Sequence, residues 1–148
     1  MRRRDERGQT TVMIIGLAVV LLMAIVVVVD ASAAFLQRQS LDTVADGAAL
    51  AGADAGSRNL PALYGSGVGE RERLDQARTI ARAAVEEYFR RTGARAAYPG
   101  ITYDIAFNPG DNSIIVHVDA PLDLPLTLPG SPERPVIGAT GSAVVQVD

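Results

Sequence analysis

From Gly8 to Val29 the chain runs twenty-two residues without a charge, and from Val12 to Val29 nearly every side chain is aliphatic. At ~1.5 Å of rise per helical residue this stretch spans ~33 Å, about the thickness of a bilayer's hydrocarbon core. The pattern then changes but stays helical. Residues 30–55 contain no proline, and Arg38, Asp42 and Asp46 recur every four positions, predicting a solvated stripe with an Arg38–Asp42 pair. Ala45, Ala49 and Ala53 form a row of small residues, and Ala48, Gly52 and Gly56 form another. Such rows permit close helix contact, either with partner subunits or with the chain's own domain. Residues 56–69 hold Gly56, Pro61, Gly65, Gly67 and Gly69 and predict a linker. Over 70–92, Leu74, Ala77, Ala81, Ala84, Val85 and Tyr88 keep helical spacing. Arg71, Asp75, Arg78, Arg82, Glu86 and Arg90 take the other side, with Glu86–Arg90 and Glu87–Arg91 pairs expected and Gly93 as the stop.

After Pro99 the period becomes two. Ile101, Tyr103, Ile105 and Phe107 alternate with polar or small residues, Asn108 to Asn112 is a turn, and Ile114, Val116 and Val118 alternate with Ile115, His117 and Asp119. Five prolines between Ala120 and Pro135 predict an extended edge or loop. Ile137, Ala139, Ala143, Val145 and Val147 predict a last strand. The expected fold is α+β: a long N-terminal membrane-anchoring helix, a second amphipathic helix and a small antiparallel sheet of about three strands. The expected organisation is a basic leader over 1–8, a transmembrane and extended helix over 9–55, a linker over 56–69 and an extracytoplasmic domain over 70–148.

Charge gives this layout a direction. The chain has a net charge of -3, yet Arg2, Arg3, Arg4 and Arg7 all precede the apolar stretch. By the positive-inside rule this predicts a single-pass protein of the cytoplasmic membrane, N-terminus inside and C-terminal domain outside. The mildly acidic remainder gives no support for nucleic-acid binding. With no cysteine, the outer domain must fold on packing alone.

The N-terminus admits three fates. Ala31-Ser32-Ala33 fits a small-x-small secretory cleavage pattern, but the apolar run exceeds the usual ~7–15 residues and the helical pattern continues past it. Arg7-Gly8 before Gln9 resembles the short basic leader of type IV pilins, with processing between Gly8 and Gln9; Met13 stands where those proteins usually carry glutamate. An uncleaved anchor is the favoured fate.

Chemistry is sparse. His117, the single histidine, lies mid-strand beside Asp119, and a Ser66–His117–Asp119 triad lacks a nucleophile elbow or oxyanion device. A strand-surface histidine is the better reading, and neither catalysis, a metal nor a cofactor is expected. Asp30 closes the apolar span, either marking the water boundary or pairing with a partner, and Arg38 poses the same choice.

Arg7-Gly-Gln-Thr-Thr-Val-Met13, the span to Val29-Asp30, and Leu41-Asp42-Thr-Val-Ala-Asp46-Gly-Ala-Ala-Leu-Ala-Gly52-Ala together resemble the N-terminal domain of the Flp pilus-assembly TadE/TadG-like family. The resemblance covers about residues 7–54. It implies a non-enzymatic, pseudopilin-like or membrane-anchored part in Flp pilus assembly or the associated secretion apparatus. Its implied partners are the lipid bilayer and other Tad or Flp proteins, with homo- or hetero-oligomers formed through the N-terminal helix. Asp30, Arg38, Asp46, Ala49 and Gly52 are the expected assembly contacts. The alternative is a generic secreted or anchored extracytoplasmic binding module.

Overall fold

The computed structural model describes residues 7–64, 69–108, 110–126 and 135–145. In chain order these form α1 (Arg7–Tyr64), α2 (Glu70–Arg91), a short α3 (Ala94–Ala97), β1 (Thr102–Asn108), β2 (Ser113–Pro121) and β3 (Val136–Val144). The α+β layout is the expected one. The chain divides into two compact units, the first of Met1–Phe35 with Asp123–Ser131, the second of Leu36–Leu122 with Pro132–Asp148. The second unit therefore takes in part of α1, a segment expected to stand apart from the 70–148 domain.

In the first unit, α1 carries the apolar stretch, and among the described residues nearly all of its side chains are exposed. Val12 and Met13 are each 71% exposed and Leu22 is 63% exposed. A stripe of this size facing water would be costly, which is why exposed apolar surface marks a place for lipid or protein. The helix continues past Val29 without a break, and the Ser32 hydroxyl donates to the Val28 carbonyl at 2.7 Å, one turn back.

In the second unit, β1, β2 and β3 make one antiparallel sheet in that order. The alternation read from the sequence sorts its faces. Ile114, Val116, Val118 and Ala120 on β2 are buried, while Ile115, His117 and Asp119 point away from the core. Against the buried face lie Leu41, Ala45, Ala48 and Ala49 of α1 and Ala81, Val85 and Phe89 of α2. Phe89, absent from the expected apolar face, is 1% exposed and stacks on Tyr103 with ring centroids 4.2 Å apart and planes 7° from parallel. Leu74, expected on that face, lies outside the described side chains, as Val147 lies outside the described residues.

Small residues set how closely these layers meet. A β-carbon on Gly52 would stand 2.9 Å from Val85 Cγ2 and 3.0 Å from Ile114 Cδ1. One on Gly141 would overlap the Ala45 carbonyl group and the Asp46 nitrogen. Gly141 lies past the middle of β3, where the strand backbone presses directly on the α1 backbone. The alanine and glycine rows are thus used inside the fold, the second of the two readings given above.

Three local expectations are corrected. α1 does not stop at residue 55 but continues through Gly56 to Tyr64, so 56–64 are helix rather than linker; 65–68 lie outside the described residues. Gly56 is buried, with Val145 Cγ1 3.5 Å from its β-carbon position, so tertiary packing overrides a weak local propensity. No ion pair joins Arg38 to Asp42 among the described residues. On α2, Glu87 pairs with Arg90 and Asp75 with Arg78 at 3.4 Å, both at a spacing of three, in place of the expected four-residue pairs. On solvated helix faces such pairs are worth only tenths of a kcal/mol, so small rotamer preferences decide between them. The expected stop holds: Gly93 adopts φ 66° after Thr92, whose N–H and hydroxyl both donate to the Tyr88 carbonyl.

Two substitutions test this packing. Gly141→Ala forces the sheet off the helix and should destabilise the second unit by about 1–3 kcal/mol. Phe89→Ala should cost about 3–5 kcal/mol through lost burial and an unfilled cavity. Denaturant unfolding of the full chain in micelles, followed by near-ultraviolet circular dichroism of its tyrosines, reads both; a Gly141→Ala protein as stable as the parent contradicts the backbone contact.

Candidate functional site

The apolar stretch of α1 and the residues that follow it form the candidate site. Asp30 is half-buried, and its Oδ1 accepts a hydrogen bond from the Leu126 N–H at 3.1 Å, across 96 positions of chain. It therefore does more than mark the end of the span: it holds the loop between β2 and β3 within the first unit. The sequence offered no signal for this pairing, because a side-chain bond to a backbone N–H leaves no trace in the partner's residue type.

The remaining expected contacts separate by exposure. Arg38 and Asp46 are exposed on α1. Ala49 is fully buried and Gly52 is packed between Val85 and Ile114, so both belong to the second unit's own core. Leu50, beside them in sequence, is 64% exposed and stands among polar residues of the outward face of α1. Gly8 and Gln9, the processing pair, lie within the helical span of α1.

On the outer face of the sheet, His117 Nδ1 lies 2.8 Å from the Thr140 hydroxyl and its Nε2 lies 3.4 Å from Asp119 Oδ2. Gly138 opposite Asp119 leaves room for this pair. Ser66, the third member of the imagined triad, lies outside the described residues. Among the described residues no group of three or more histidines, cysteines or carboxylates is placed to hold a metal. An open depression of about 530 Å³ beside α2 is lined by Glu86, Glu87, Arg90, Arg95 and Tyr103, where both signs of charge meet. Arginines also cover the aromatic rings of β1: Arg82 stands 5.5 Å and Arg78 5.7 Å from the Phe107 centroid, and Arg95 stands 5.9 Å from that of Tyr103. This accounts for part of the charged face of α2 as cover for half-buried rings.

Of the described helices, one is long and apolar enough to cross a membrane, by length and composition, and the most apolar part of it has no buried residues. Residues 8–55 match the Tad family model, "Putative Flp pilus-assembly TadE/G-like". No curated protein and no solved structure matches the chain. The Tad segment takes in the open apolar stretch, Asp30, and the small-residue rows as far as Ala55. It connects the chain with Flp pilus assembly, and its description names an assembly process, not a reaction. The α2 helix and the three strands lie beyond the matched residues.

The turn before β2 holds a carboxylate whose titration is shifted. Asp111 is held below the usual carboxylate range, chiefly by the Ser113 hydroxyl and next by the Ser113 N–H, which donates to its Oδ1 at 3.0 Å. A depressed folded value means that this carboxylate favours the fold above its unfolded value and that the benefit is lost as pH falls through the folded one. Carbon-detected NMR titration of the full chain in micelles should place the Asp111 midpoint below that of a denatured control, and Ser113→Ala should move it back up.

Proposed function

We propose that this chain is a single-pass component of Flp/Tad pilus assembly or its associated secretion apparatus, held in the cytoplasmic membrane by the apolar part of α1. The observation that carries the reading is the coincidence of the Tad match with an apolar helical stretch that is left exposed among the described residues. The four arginines before that stretch favour an N-terminus inside and the second unit outside.

In this reading the protein works by contact and not by chemistry. The apolar stretch meets lipid and the helices of other Tad or Flp proteins, or of further copies of this chain. Arg38 and Asp46, exposed on α1, together with Leu50, are the side chains available to partners outside the membrane. Ala49 and Gly52 serve the fold and act on assembly only by shaping it. Uncleaved anchoring is the proposed fate of the N-terminus.

A photo-crosslinking amino acid at position 50 of the full chain, expressed in its own host, should trap pilus-assembly or secretion proteins. Charge reversal at Asp46 should weaken that capture without releasing the protein from membranes. N-terminal sequencing of the same material should read Met1 or Arg2; a start at Gln9 would move the protein to the processed pilins, and a start at Ala34 would show secretion and end the anchor reading.

A further inference from the structure

Asp30 sits directly after the apolar stretch, and its carboxylate is spent on a backbone N–H. That bond fixes the depth of Leu126: whatever plane Asp30 occupies, the Leu126 backbone occupies too. Leu126 is 40% exposed, Pro125 is exposed and Leu124 is half-buried. On α1 itself Phe35 is 68% exposed, five residues or ~7.5 Å further along the helix.

We infer that the loop over 124–126 is a second membrane contact, laying Leu124 and Leu126 into the headgroup–acyl boundary of the leaflet where the apolar stretch of α1 ends. The inference rests on the membrane reading proposed above. Non-helical backbone tolerates that depth better the fewer donors it leaves unmet, and two of the three positions here leave none. Leu126 has its N–H bonded to Asp30, and Pro125 has no N–H to satisfy. Phe35 marks the same layer from the helix side, since the interfacial zone extends ~5–10 Å beyond the hydrocarbon. Between residues 123 and 126 the one charge is Asp123, which is exposed, and no basic residue is present. The contact is therefore made through apolar side chains and owes nothing to anionic lipid.

The chain has no tryptophan, so one introduced residue is a sole reporter. Leu126→Trp, Leu124→Trp and, in the span, Val20→Trp are each placed in the full chain. Each is reconstituted in phosphatidylcholine vesicles brominated either near the headgroup or near the tail ends. Val20→Trp should be quenched most by the deep label. Leu126→Trp and Leu124→Trp should be quenched by the shallow label, to the same extent when anionic lipid is added. Adding Asp30→Ala to Leu126→Trp should shift its balance between quenched and unquenched populations by about fivefold, the effect of one lost hydrogen bond. Quenching of Val20→Trp without quenching at either loop position overturns the loop contact and leaves the anchor standing, as does a blue-shifted but unquenched loop tryptophan, which would show protein as the cover. An unquenched Val20→Trp overturns the anchor and this inference together. Loop quenching indifferent to Asp30→Ala removes the bond to Asp30 as its cause.

Discussion

The second unit depends on one contact above the others: the backbone of β3 at Gly141 lies directly on the backbone of α1 at Ala45 and Asp46. Helix and sheet ordinarily meet through a layer of side chains. Here the absence of a side chain at Gly141, with alanines at 45, 48 and 49, brings main chain against main chain. Such proximity multiplies dispersion contacts that are individually small. It also fixes the register of the other elements. With β3 seated on α1, β2 presents Ile114, Val116 and Val118 to the same helix, and Val85 of α2 fills the notch left by Gly52. Phe89 and Tyr103 then close the side formed by α2 and β1.

Much of this was legible in the chain. Periods of 3.6 and 2 placed α2, β1, β2 and the start of β3 within a residue or two, because each carries one buried face, and burial imposes periodicity. The alternation of Ile114, Val116 and Val118 with Ile115, His117 and Asp119 gave the inward and outward sides of β2 correctly. What was not legible is three-dimensional. The rows through Ala45 and Gly52 read equally well as surfaces for a partner or for the chain's own sheet, since both need the same small residues. Gly56 is a local breaker, yet α1 continues through it, because packing of Gly56 against Val145 outweighs a preference of about 1 kcal/mol for a glycine. The bond from Leu126 to Asp30 could not be foreseen, as no pattern ties a loop's N–H to a carboxylate 96 residues earlier.

The two ends of the Tad segment have different work. Its first part keeps large apolar residues exposed among the described residues, the kind of surface that lipid or other helices cover. Its second part turns small residues inward to build a core with α2 and the sheet. Ala49 and Gly52 thus belong to the core of the second unit, while Arg38, Asp46 and Leu50 stand exposed on α1. Reading the alanine-rich segment as an exposed oligomerisation stripe would assign to assembly what belongs to the interior.

The most direct test of this account needs no substitution. In the full chain, isotopically labelled and held in lipid-like micelles, nuclear Overhauser effects report which protons are neighbours. The packing of β3 on α1 predicts strong effects between the Gly141 α-protons and the Asp46 amide proton, with the Ala49 methyl group in contact with protons of α2 or β2. Absence of the Gly141–Asp46 effect, with the Ala49 methyl in contact with detergent or with a second labelled chain, would contradict it and return the small-residue rows to the surface.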